Sequence, residues 1–169
     1  MPKISINGLK LNGPFVALWV AATGTNGSTL AALYRLLTDN CVNIAYMTAG
    51  GAMADEPALC CIDRTDAAKV AALFDKDPQF GDRIRMGSDV GLLTLYPHRS
   101  SLTVLGSALQ LLGGHGIGVC GMASSISALS FVVAFEQLET AGAILSQGLR
   151  LPDSATPIRD TVKTRQEPR

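Results

Sequence analysis

The stretch LLGGHGIGVCGMASSISALSFVVAF (residues 111–135) decides the fold, because it admits two incompatible readings. Gly116, Gly118 and Gly121 have the spacing G-x-G-x-x-G. In a dinucleotide-binding domain that pattern leaves a strand and opens a helix, so that a pyrophosphate meets the helix N-terminus. Here the order is reversed. Leu102, Leu105, Leu109 and Leu112 recur at helical spacing before the glycines, so the glycines follow a helix and enter a strand. Gly113, Gly114 and Gly116 end that helix as C-cap residues do. Gly118 and Gly121 lie inside the strand, where a missing side chain marks a bulge or a close approach. The fingerprint is set aside, and no cofactor is implied.

The same stretch is the second copy of a duplicated pattern. Leu36–Met47 lies on Leu111–Met122 without a gap, and Leu18, Val20 and Leu30 lie on Leu93, Leu95 and Leu105 in the same register. Farther along, Ala58–Ile62 lies on Leu129–Val133, and Ala71, Leu73 and Phe74 lie on Gly142, Ile144 and Leu145. Between these blocks the first copy carries four extra residues near Met53–Glu56. A period this long exceeds the roughly 20–50 residues of solenoids and propellers and indicates two copies of one small domain.

Periodicity gives the elements of each copy. Phe15–Val20 and Val90–Leu95 read as first strands. First helices follow, with Asn26 and Ser28 as N-cap candidates in one copy and Ser100 and Ser101 in the other. Val42–Met47 with Ala58–Asp63, and Ile117–Met122 with Leu129–Phe135, read as hairpins. Ala67–Phe74 and Leu138–Leu145 read as second helices, with Thr65 as a cap for the former. Arg83–Met86 closes the first copy as a fourth strand, and Leu149–Leu151 is the counterpart in the second. The order β-α-β-β-α-β is the ferredoxin-like motif taken twice, an α+β fold with antiparallel sheets and helices on one face. The boundaries that follow are a first domain over 1–88 with an N-terminal extension over 1–12, a second domain over 89–152, and a polar tail over 153–169.

Composition narrows the function. The 169 residues carry 14 Lys+Arg against 14 Asp+Glu, so nothing pulls the chain toward nucleic acid or an anionic membrane. Hydrophobic residues make up 47% and charged ones 17%, enough apolar material for a core and too little charge for a disordered chain. The longest apolar runs fall short of the roughly 20 residues of a membrane span, and the opening residues do not form a secretory signal. A cytoplasmic protein is expected. Cys41, Cys60, Cys61 and Cys120 have no C-x-x-C spacing, so buried free thiols are expected rather than a metal site or disulfides.

Val90-Gly91-Leu92-Leu93-Thr94-Leu95-Tyr96-Pro97-His98, then Val104-Leu105-Gly106, His115-Gly116-Ile117 and Ala123-Ser124-Ser125-Ile126-Ser127, resemble the regulatory tail of aspartokinases, a pair of ACT domains. The resemblance is strongest over about residues 89–135, and the repeat carries it over nearly all of 13–151. It implies side-by-side domains that bind an amino acid at the seam, using the loop after the first strand and the start of the second. That loop leads into a helix N-terminus, whose free N–H groups and dipole suit a carboxylate. The positions carried over are Thr25, Asn26, Gly27 and Ser28 in the first copy and His98, Arg99, Ser100 and Ser101 in the second. On the strand they are Val119, Cys120, Ser124 and Ser125, with Ile44 and Ala45 matching the first two. Lysine-sensitive aspartokinases place an aspartate where this chain has Cys120 or Ala45, which argues against lysine. The kinase domain is absent, so the resemblance implies no catalytic residues of this chain's own.

The expected protein is thus an amino-acid-binding regulatory module, a homodimer or a partner of a separate enzyme. The alternative is a structural pairing module without ligand, in which Ala123–Ser127 pack at an interface and Ser124 and Ser125 only close the local turn. Catalysis by Cys120 with His98 or His115 is the weakest reading, because no third group orients the pair. Trp19, opposite in direction to Leu18 and Val20, covers either an interface or a groove.

Overall fold

The computed structural model describes residues 4–21, 26–48, 57–96, 102–151 and 158–159. Two strands of 13 residues dominate it, β1 (Gly8–Val20) and β4 (Ile84–Tyr96). Between them come α1 (Asn26–Asp39), β2 (Ile44–Met47) and β3 (Ala58–Asp63). A 3-10 turn (Arg64–Asp66) then runs into α2 (Ala67–Phe74), followed by the single turn α3 (Pro78–Gly81). After β4 the pattern repeats with α4 (Leu102–Gly114), β5 (Val119–Ser124) and β6 (Leu129–Ala134). A second 3-10 turn (Phe135–Gln137) leads into α5 (Leu138–Gly148), and a two-residue strand β7 (Ile158–Arg159) comes last.

The chain divides into two compact units. The first holds the described residues of Pro14–Asp89, the second those of Met1–Gly13 and Val90–Thr161. Strand order is β2-β3-β1-β4 in the first and β1-β4-β6-β5 in the second, with β1/β3, β2/β3, β4/β6 and β5/β6 all antiparallel. Each unit is therefore the expected ferredoxin-like arrangement, and the first closes where Arg83–Met86 was expected to, but the fourth strand of the second comes from an unexpected place. β1 and β4 pass from one unit into the other, so Ile84–Asp89 closes the first sheet and Gly8–Gly13 closes the second.

Two expectations change as a result. Leu149–Leu151 is not the fourth strand of the second copy. Arg150 makes an isolated parallel bridge to Ser5, with Ile6 N–H donating to Arg150 O at 3.0 Å and Arg150 N–H to Ile4 O at 2.8 Å. Residues 1–12 are likewise not an extension of the first domain. Leu9 and Leu11 are 2% and 4% exposed and lie in the core of the second unit with Leu93, Leu95, Val104, Leu112, Phe131, Leu138 and Leu145. The other core joins Val16, Leu18 and Val20 to Leu30, Leu33 and Leu37 of α1 and to Val70 and Phe74 of α2. At the changeover Gly13 has φ +146°, which strains any side chain, and a Cβ there would press at 3.3 Å against Gly91 Cα. In the region read as a polar tail, β7 pairs in parallel with Lys10 and Leu11 of β1. Asp63, rather than Thr65, caps the turn before α2, its carboxylate accepting from Thr65 N–H at 2.8 Å.

The duplication reaches individual hydrogen bonds at the ends of α1 and α4. Cys41 N–H donates to Thr38 O at 3.0 Å and Val42 N–H to Leu37 O at 2.8 Å. Gly116 N–H donates to Gly113 O at 3.0 Å and Ile117 N–H to Leu112 O at 2.9 Å. These are paired Schellman caps, each with a buried apolar residue after the left-handed position and a buried leucine in the last turn. Gly116 takes that position at φ 73°, but the first copy puts Cys41 there at φ 53°. A left-handed non-glycine residue costs about 1–2 kcal/mol, partly offset because glycine is freer when unfolded. Gly116→Ala should therefore lower stability by about 0.5–1 kcal/mol, with nothing within 4 Å of the added Cβ to add a clash. Cys41→Gly should raise stability by a similar amount. Urea unfolding of both variants checks the pair, and equal signs would contradict the account.

Candidate functional site

β2 and β5 end the strand order on its two sides. Among the described residues β2 pairs only with β3 and β5 only with β6. Both are interrupted at the same point. The β2 register shifts between Ile44 and Tyr46, and the β5 register shifts between Val119 and Gly121. The extra residues are Ala45 and Cys120, which coincide in the repeat. A bulge leaves its extra residue outside the ladder and aims it anew. Ala45 and Cys120 are both exposed, while Ile44 and Val119 before them pack against their cores. Two positions past each bulge stand Met47 and Met122, 49% and 41% exposed. Glycines had suggested a bulge or close approach near 118–121. Nothing in the sequence of β2 marked its own bulge, which becomes visible only through the repeat.

The structure gathers part of the expected site. Val119, Cys120 and Ser124 lie on β5, and Ser125 begins the turn into β6. Ser125 is engaged locally: its hydroxyl donates to Ala128 O at 3.2 Å and accepts from Ala128 N–H at 3.1 Å, and its own N–H donates to Ala128 O at 2.8 Å. The turn-closing role therefore holds for Ser125. Asn26, Gly27 and Ser28 form the first turn of α1. Thr25, His98, Arg99, Ser100 and Ser101, like the extra residues near Met53–Glu56, lie outside the described residues.

The cysteines differ from expectation. Cys60 and Cys61 are buried, but Cys41 and Cys120 are exposed, because one sits just beyond a helix end and the other on the edge-strand bulge. Burial pushes the Cys60 thiol up to about 12. Tyr46, beside Cys61 on β2, is also pushed up to about 12, by burial first and then by Cys61. Tyr34 is raised by burial and then by Cys60. The Tyr34 and Tyr46 hydroxyls have no hydrogen-bond partner among the described residues. His115 holds its Nδ1 2.8 Å from Leu111 O. Among the described residues no group of three His, Cys, Asp or Glu side chains is placed to hold a metal ion, and no helix is long and apolar enough to cross a membrane.

No protein-family model and no curated protein matches the chain. Solved structures do match its fold. The ligand-free regulatory subunit of aspartate kinase from Thermus thermophilus superposes with a TM-score of 0.73 at 12% identity, over 86% of this chain and 99% of that one. A structure of aspartokinase alpha and beta subunits gives 0.74 at 12% identity, over 85% and 98%. In the aspartate kinase of Clostridium acetobutylicum the match gives 0.70 at 13% identity and spans 88% of this chain but 36% of that one. The ACT-pair fold is thus shared with regulatory subunits of aspartate kinase and with about a third of a longer aspartate kinase.

The raised thiol has a consequence for stability. A group whose folded-state pKa lies above its unfolded value stabilises the fold fully below the unfolded pKa, and that contribution is lost as pH climbs toward the folded one. For Cys60 the window runs from 9.0 to about 12. Unfolding free energies from urea titrations at rising pH should fall across it, by up to about 1.4 kcal/mol per pH unit for one group. Cys60→Ala should flatten the fall, leaving the part due to tyrosine. Equal slopes in the two proteins would contradict the assignment.

Proposed function

We propose that this chain is a regulatory protein that binds an amino acid against the edge strand β5 and controls a separate enzyme. The duplicated bulge carries the reading. Cys120 has no register partner on an exposed edge strand, and the backbone donors and acceptors along such an edge suit the α-carboxylate and α-ammonium of an amino acid. Gly118 before it has nothing within 4 Å of an added Cβ, so a ligand can approach the backbone closely. With Cys120 in place of an acidic residue, a neutral effector fits better than a cationic one. The likeness to regulatory subunits of aspartate kinase supports a role without catalysis of its own, and one matched structure joins alpha and beta subunits of aspartokinase.

A second reading has its own observation. Met47, Met122 and Ile126 are 49%, 41% and 84% exposed on the edge strands and the β5–β6 turn, and unpaired edges with apolar side chains favour pairing with a second copy. In that case the edges serve a homodimer without any effector.

Thermal unfolding against each common amino acid at millimolar concentration separates the two. An effector at roughly 100 times its dissociation constant should add about 2.7 kcal/mol of stability. The expected result is a selective rise in midpoint that is reduced by Ser124→Ala and by Cys120→Pro. A folded dimer that responds to none of the compounds would favour the pairing module.

A further inference from the structure

The first unit contains a groove that the edge-strand site does not use. It has a volume of about 440 Å³ and is lined by Trp19, Ala21, Pro57 and the run Gly81–Arg85, within the roughly 300–1,000 Å³ of small-molecule sites. It lies where β1 ends and β4 begins, with Ala21 N–H donating to Arg83 O at 2.7 Å. β3 separates this side of the sheet from the bulged strand β2.

We propose that this groove binds a small organic anion with a flat apolar body, its carboxylate or phosphate held by Arg85 and Arg83 and its body resting against Trp19. Three observations converge. Trp19 is half-buried, and Gly87 keeps its edge close: a Cβ at 87 would stand 3.1 Å from Trp19 Nε1 and 3.3 Å from Cδ1. The indole thus forms a fixed wall, continued by Ala21 and Pro57. Arg85 is exposed and makes no hydrogen bond or ion pair among the described residues, so its planar fork of donors is available to an anion. Among the described residues Arg83 is steadied at one end only, its Nη1 lying 3.4 Å from the hydroxyl of Thr29, which is 5% exposed. Two guanidiniums against the single carboxylate of Asp82 leave the lining net positive.

Trp19 is the chain's one tryptophan, so its fluorescence reports on this groove alone. Benzoate and phenyl phosphate carry both halves of the proposed ligand, while inorganic phosphate and benzyl alcohol carry one half each. Benzoate or phenyl phosphate should produce a saturable change, and each half alone should bind at least about tenfold more weakly. Arg85→Gln should weaken binding about tenfold, whereas Asp82→Asn should tighten it by about twofold by removing the opposing charge. Circular dichroism confirms that both variants fold, as expected for exposed positions. No saturable change below about 20 mM, weaker than any useful site, or a response that Arg85→Gln leaves intact, overturns the proposal.

Discussion

Each ferredoxin-like sheet needs a fourth strand, and this chain obtains both fourth strands from two continuous segments. Gly8–Gly13 closes the second unit before the same strand becomes the first strand of the first unit. Ile84–Asp89 closes the first unit before becoming the first strand of the second. The arrangement depends on burial. Ile6, Leu9 and Leu11 join the second core, and at about 1.5–3 kcal/mol for each fully buried aliphatic side chain they supply as much as the net stability of many domains. The second unit is therefore not a contiguous stretch of sequence, and its core is incomplete without Ile6, Leu9 and Leu11 from ahead of the first repeat.

The sequence showed the repeat and hid the exchange. Leu36–Met47 against Leu111–Met122 shows the helix-to-strand passage, because both Schellman caps need a leucine in the last turn and an apolar residue just past the left-handed position. The N-terminal strand was overlooked although Leu9 and Leu11 alternate with Lys10 and Asn12 as a half-buried strand should. Gly13-Pro14 reads as a break, and so do Gly87-Ser88-Asp89 in the other long strand. In both places the backbone continues, since Gly and Pro here serve close approach and changeover rather than a turn. The bulges were half legible: glycines flank the one at Cys120, whereas Ala45 carries no local mark and depends on register with β3. The Trp19 groove was illegible because it joins residues 19, 57 and 81–85, which only the sheet brings together.

The copies share their helix-side cores and differ on the opposite sheet face. Trp19, Tyr46 and Leu59 of the first copy stand where the second has Thr94, Gly121 and Ser130. In the second, Thr94 and Ser130 place their hydroxyl oxygens 3.2 Å apart, and Gly121 leaves the strand beside the bulge without a side chain. The first copy instead fills that face with a buried tyrosine and with the indole that forms the groove wall. Duplication thus preserved what folding needs, while the two surfaces diverged: exposed backbone on β5 in one unit, and two guanidiniums beside an aromatic wall in the other.

Native-state hydrogen exchange resolved by residue tests the exchanged strands most directly, because local opening energies follow cooperative units. The amides of Leu9–Leu11 should share the protection of β6 and α5 and lose it together with them, while those of Val16–Val20 should follow β3 and α1. If residues 8–13 exchange like an unstructured N-terminus, or open together with the first unit, then the second sheet is not closed by this strand and the account fails.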